Sequence, residues 1–245
     1  MSHDASTTAH ADSLARAIRT RLAERHDAIE RLPFAEALVK GPLDPLHYVL
    51  ALHQLRHLHR LLESALNQVL VRQPEALGDL YNPSAMERTE TLNRDLAFWN
   101  QHGATNDGPP RPHPALDRFA QWLERIAVDQ PHALLGALYV VEGSRMGSML
   151  LTNSLVKLLH TDDQPGHGLD YHAEGRVDRP AIWSRFKAGL DQFAATQPTS
   201  HREAIQEAAA FTMDTLFEIY RDLPVPQPTT TNPLPINEVL NSSAS

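Results

Sequence analysis

Arg19, Ala23, His26 and Glu30 follow one another at steps of four, three and four residues, a spacing that stacks them on one face of a helix. A neutral histidine so placed is a good axial ligand for haem iron. Its second ring nitrogen needs an acceptor to fix the tautomer, and Glu30, one turn on, supplies a carboxylate. Arg19 lies roughly 10 Å back along the stripe, within reach of a carboxylate at the edge of a ring over His26. A lone histidine with charged neighbours on an amphipathic helix is also the ordinary look of a solvated surface. The pattern therefore gains weight only from a second one.

That second pattern is LYVVEGSRMGSMLL, in which Tyr139, Gly143 and Gly147 recur every four residues inside an apolar helical run. Each glycine costs a helix about 0.5–1 kcal/mol relative to alanine, so a close approach to the backbone must offset them. The approaching body is either a partner helix, the commoner case, or a flat ligand. Ser144 and Ser148 keep the surface thin and offer hydroxyls. Arg145 is two residues from each glycine, about 200° around the helix, and is expected to point outward.

A third cluster, HQLRHLHRLLE, places His53 and His57 at i,i+4 and Glu63 four residues after His59. Such spacing can bind a transition metal. A non-haem di-iron centre would require carboxylates and histidines from three or more helices, and the last helical segment has no Asp-x-x-His pair. A solvated histidine-rich face is the simpler reading. His113, His132, His160, His167, His172 and His201 fall in loops or at helix ends. Trp99, Trp122 and Trp183 sit at helical positions as core or core-edge aromatics.

The elements that must hold these residues are helical nearly throughout. Apolar periodicity predicts helices over about 12–31, 45–73, 84–101, 114–129 and 131–160, a short one between Pro33 and Gly41, and two more in PAIWSRFKAGLDQFAA and HREAIQEAAAFTMDTLFEIYRDL. A polar, glycine-containing loop separates 160 from 179. No period-2 strand or internal repeat is evident. The class is all-α, a single domain of seven or eight helices in an orthogonal or irregular bundle over 12–222. A lead over 1–11 and a Pro/Thr-rich tail over 223–245 read as disordered.

The 245 residues contain 22 Lys+Arg, 30 Asp+Glu and no Cys, for a net charge of −8. Absent cysteine excludes disulfides, thiolate metal sites and a cysteine nucleophile. The acidic balance argues against nucleic-acid or anionic-membrane partners. No apolar run approaches the roughly 20 residues that span a bilayer. The N-terminus lacks a basic then apolar leader, so the expected location is cytoplasmic.

Together, RLAERHDAIE and LYVVEGSRMGSMLL resemble the heme oxygenase family, its bacterial branch in particular. There a helix near the N-terminus carries the proximal histidine, and a helix of the form Tyr-Val-x-Glu-Gly-Ser-x-x-Gly covers the other haem face. The likeness extends through ERTETLNRDLAFWN and the last two helical segments, over about 12–222. It implies a helical bundle of heme-oxygenase type, with His26 as iron ligand and Glu30 as its partner. It implies Gly143 and Gly147 as backbone against haem and dioxygen, Ser144 beside a distal water network, and Arg19 and Tyr139 at the haem propionates.

Ala23 stands where some members have a second basic residue, so propionate anchoring falls partly to other groups, with Arg185 and Lys187 as candidates. Ser148 replaces the glycine or alanine usual after the second distal glycine, and Ser144 stands where the animal enzymes have aspartate. The implied activity is oxidative cleavage of haem to biliverdin, CO and ferrous iron, in haem catabolism. Haem would be both substrate and cofactor, with O2 as co-substrate. With no GxGxxG or βαβ pattern, electrons would come from a separate reductase or ferredoxin, and the product could pass to a bilin-accepting protein. The alternatives are a haem-binding protein without turnover and the di-iron oxidase on the same fold.

Overall fold

A computed structural model describes residues 13–104 and 110–225; the predicted disordered lead and most of the predicted tail lie outside the described residues. The described residues form ten α-helices and no strand. They are α1 (Leu14–Glu30), α2 (Pro33–Lys40), α3 (Pro45–Arg72), α4 (Pro83–Met86), α5 (Thr89–Gln101), α6 (Pro114–Asp129), α7 (Leu134–Leu158), α8 (Asp170–Ala173), α9 (Arg179–Ala195) and α10 (Thr199–Asp222). Eight run two turns or more, in line with the sequence periodicity; α4 and α8 are single turns. Leu223 and Val225 still pack against the core. Among the described residues no helix is long and apolar enough to cross a membrane.

Helix starts are fixed by side-chain acceptors, because the first backbone N–H groups of a helix have no partner within it. Ser13 accepts from Arg16 N at 3.1 Å and Asp44 from Leu46 N at 2.7 Å, with Pro45 at the first helical position of α3. Other starts are capped from neighbouring elements. Asp191 on α9 accepts from Ala15 N at 2.9 Å and from the Ser13 hydroxyl at 2.8 Å. Asp95 on α5 accepts from Asp170 N at 2.8 Å and Tyr171 N at 2.9 Å, which folds part of the predicted 160–179 loop into α8.

Glu63 on α3 accepts from Arg88 N at 2.6 Å and from Thr89 N at 3.2 Å, and the Thr89 hydroxyl donates to it at 2.5 Å. The predicted helix over 84–101 is consequently two helices, broken at Glu87–Arg88, where the chain turns to meet that carboxylate. Glu63 and His59 are buried, which corrects the reading of this cluster as a solvated face; His53 and His57 are half-buried. Burial pushes the Glu63 carboxyl up, but His59 beside it and the hydrogen bonds from Thr89 and Arg88 N prevail and hold it below its usual value.

α7 and α10 form the centre, with α10 packed across both α7 and α1, and α3 against α5 and α6. From Leu134 to Glu142 every residue of α7 is buried, as expected of a segment apolar all round. Gly136 explains the close approach of α10: a Cβ there would lie 2.0 Å from the Ile205 carbonyl oxygen and 2.8 Å from Ala209 N. These are backbone atoms, which cannot swing aside. Gly136→Ala is expected to destabilise the fold by about 2 kcal/mol or more, read as a lower urea midpoint.

Four histidines, His53, His57, His132 and His172, have their pKa lowered chiefly by burial. His172 is lowered to about 3, and His53 and His132 to about 4, with the Arg179, Arg56 and His201 charges respectively adding to the effect. Unfolded chains protonate these rings near pH 6.5 and the native state does not, so stability is lost as pH falls from about 6.5 toward 4. Asp95 opposes this, since burial raises its carboxyl to about 7 and the native state takes up its proton first. Four histidines against one carboxyl predict lower stability at pH 5 than at pH 7. His172→Gln should flatten that dependence by on the order of 1–2 kcal/mol in urea titrations at both pH values.

Candidate functional site

The α1 stripe lies open along its length: Arg19, Ala23, His26 and Glu30 are all exposed. Leu14, Ala15, Ile18 and Leu22 occupy the buried face instead. His26 Nδ1 stands 3.6 Å from Glu30 Oε1, too long for a direct hydrogen bond but near enough for a water or a small side-chain rotation to complete one. Arg25, one residue before, is turned to α10, with its guanidinium 4.4 Å from the Phe217 ring centroid and Nε 2.6 Å from Asp214. Among the described residues, the side chains grouped closely enough to hold a metal ion are His26, Asp27 and Glu30, all exposed.

On α7 the second stripe changes character along its length. Gly136, Gly143 and Gly147 share one face to within about 40° of rotation. Gly136 is pressed by α10. At Gly143 a Cβ would meet only the tip of the Trp183 indole, Cζ2 and Cη2 at 3.5 Å, an ordinary contact. At Gly147 it would meet nothing within 4 Å. Leu150, one turn further on this face, is 81% exposed. Helix packing accounts for the first glycine, the Trp183 side chain of α9 fills the space beside the second, and only the third stays uncovered.

Arg145 departs from expectation. It lies on the side opposite the two glycines as the spacing required, but that side is the core: Arg145 is 4% exposed. Its Nη1 donates at 3.0 Å to both oxygens of buried Glu142. The charge suggested solvent; one carboxylate three residues earlier makes its burial tolerable. Arg179, 2% exposed on α9, donates to the Arg145 carbonyl at 2.9 Å and to the carbonyls of His172 and Glu174. Burial, with Arg145 and Arg88 nearby, lowers Arg179 to about 10.

Tyr139 joins the two stripes. Its hydroxyl donates to the Ala15 carbonyl on α1 at 3.2 Å, and its ring lies 4.9 Å from that of Trp183. Burial pushes its phenol up, while Arg19 nearby works in the opposite direction. Tyr139 thus pins α1 to α7 near one end. His26 lies roughly 16 Å further along α1 and Gly147 about 12 Å further along α7, at 1.5 Å per residue.

The Ser144 hydroxyl donates to Val141 O at 2.8 Å, and that of Ser148 to Arg145 O at 3.0 Å. Each donor is engaged by the helix's own backbone, and the oxygen lone pairs remain for water. Lys187 is half-buried with its ammonium 5.4 Å from the Trp183 ring centroid, and Arg185 is exposed. The α3 cluster supplies no comparable centre, since Glu63 caps α5 and His59 Nε2 is hydrogen-bonded to the Tyr171 hydroxyl at 3.1 Å. Trp183 is the participant that sequence reasoning missed. It reads as a core aromatic, and only its contact with Gly143 marks it otherwise.

Residues 12–219 match the family model for heme oxygenase. The chain is 22% identical to heme oxygenase 1 of Rattus norvegicus over 212 residues, covering 86% of this chain and 71% of the relative. It is 23% identical to human heme oxygenase 1 over 214 residues, covering 86% and 72%. Among solved structures, heme oxygenase from Leptospira interrogans superposes with a TM-score of 0.74 at 22% identity, covering 86% of this chain and all of that one. Heme oxygenase-2 from Synechocystis, solved with heme and NO, superposes with a TM-score of 0.72 at 23% identity, covering 86% and 85%. A family match over most of the chain, on an all-α fold that superposes on solved heme oxygenases, establishes that this chain belongs to the heme oxygenase family.

Proposed function

We propose that the chain cleaves haem oxidatively to biliverdin, CO and ferrous iron, in the cytoplasm, with O2 and with electrons from a separate reductase or ferredoxin. The observation that carries this reading is the uncovered face of α7 at Gly147, on a helix pinned to the one that bears an exposed His26. A flat macrocycle needs main chain on one side and an imidazole on the other, and these residues fit it. When bound, haem supplies the iron that activates dioxygen; the protein's part is ligation, orientation and control of protons.

His26 would hold the iron through one ring nitrogen, and Glu30, through a water or a small side-chain rotation, would accept a hydrogen bond from the N–H of the other and so fix the tautomer. Gly147, with Gly143 beside the Trp183 indole, would offer main chain to one face of the macrocycle with no imidazole or guanidinium placed there as a proton donor. Ser144 accepts hydrogen bonds from water there and holds the water that delivers the proton. Arg19 draws a propionate toward the pinned end, while Tyr139, whose hydroxyl is engaged by Ala15, acts there as a brace.

The deciding experiment is anaerobic reconstitution with haem followed by reductant and oxygen, with pigment analysis. A Soret band with a histidine-ligated spectrum and then a verdin product is expected; haem bound without a verdin would identify a carrier instead. His26→Ala should abolish turnover and remove the imidazole signature from the electronic or resonance Raman spectrum. An unchanged five-coordinate histidine spectrum would refute its assignment.

Gly147→Leu should leave the fold intact or stabilise it by up to about 1 kcal/mol, because the side chain enters open space and leucine favours helix over glycine. The same variant should lose haem or dioxygen binding. Normal turnover in it would show that the slot lies elsewhere.

A further inference from the structure

We propose that Trp183 is a positioning residue that stops the porphyrin's in-plane travel at Gly143 and thereby selects which meso carbon is cut. The inference rests on the haem-cleaving reading above and adds the determinant of its regiochemistry.

Of the two glycines left free by helix packing, only Gly147 faces open space. The space that Gly143 leaves is taken by the indole tip of Trp183, at 3.5 Å. That indole is braced. The Tyr139 ring is 4.9 Å away at 60°, the Phe186 ring is nearly parallel at 5.7 Å, and the Lys187 ammonium sits 5.4 Å from its centroid. Tyr139 is itself tied to Ala15, and Phe186 is buried in the core. An aromatic group held in this way acts as a wall.

A planar ligand sliding along the stripe therefore meets no side chain above Gly147 and an indole edge at Gly143. The cations Arg19 and Lys187 flank the same aromatic pair, the first through its field at Tyr139 and the second over the indole. They favour the carboxylate-bearing edge of the porphyrin at that end. The wall and the two charges together define one in-plane seating. The cleaved position would follow from seating, because the seating that these residues impose decides which bridge carbon faces Gly147.

The test compares wild type, Trp183→Phe and Trp183→Ala, each reconstituted with haem. Seating is read by proton NMR of the haem methyls in the ferric cyanide complex, and the biliverdin isomers are separated after turnover. Trp183→Phe keeps a ring between Tyr139 and Phe186 but shortens the reach to Gly143. The expected order of change is wild type, then Phe, then Ala, with the alanine variant shifting the isomer ratio by about tenfold, the lower range for losing an apolar contact that discriminates. The methyl shifts should show a second seating. Thermal unfolding by circular dichroism identifies any variant that fails to fold, and the phenylalanine variant carries the test if alanine does.

Unchanged methyl shifts and isomer ratios in both variants overturn the proposal. So does faster haem uptake with unchanged seating, which would make the indole a gate instead of a wall. If wild type takes no haem, the proposed function fails; if wild type takes and cleaves haem while the variants keep its seating, the role of Trp183 alone fails.

Discussion

The proposed site depends on leaving α7 uncovered at Gly147 without letting the helix come apart. A helix with glycines at 143 and 147 lacks the side chains that would normally pack it down. The compensation is on its reverse side. Arg145 and Glu142 neutralise one another inside the core, and Arg179 crosses from α9 to bind the carbonyl of Arg145 between the two glycines. Such buried charge is a poor source of net stability, but its hydrogen bonds are directional and fix the helix where apolar packing alone would let it slide. Buried Nε atoms of Arg88, Arg145 and Arg179 have no hydrogen-bond partner, so the arrangement retains an electrostatic cost that a purely structural helix would avoid.

The same economy governs how the helices are joined. Three carboxylates, Glu63, Asp95 and Asp191, each cap the start of an element other than their own. Each contact satisfies an orphan N–H and at the same time sets the position of one element against another. Through Asp191 and Tyr139 the first turn of α1 is attached to α9 and α7 together, while the histidine-bearing part of α1 rests on α10 through Arg25. The core thus settles which stripe of α1 stays outside.

Much of this is legible in the residue pattern. Periodicity located every helix of two turns or more, and the spacing within RLAERHDAIE singled out a stripe that the fold exposes, whereas the stripe within YVVEGSRMG is uncovered only at Gly147. Local pattern carries no information about contacts between distant segments, and the differences arise there. The break at Glu87–Arg88 follows from a carboxylate 24 residues earlier, and α8 from one on α5. Arg145 was placed on the correct side of its helix and given the wrong surroundings, because a charge says nothing of whether a partner waits in the core. Gly136 and Gly143 look alike in sequence. Only tertiary structure shows that one admits a backbone and the other an indole.

The Tyr139–Ala15 bond makes α1 a lever with its fulcrum near one end. Tilting α1 by about 5° around that point displaces His26 by about 1.4 Å, given the roughly 16 Å of helix between them, while the hydrogen bond itself hardly lengthens. Small rocking of this rod is amplified at its far tip, and it is resisted by the packing of α1 across α10, to which Arg25 adds its contacts with Asp214 and Phe217.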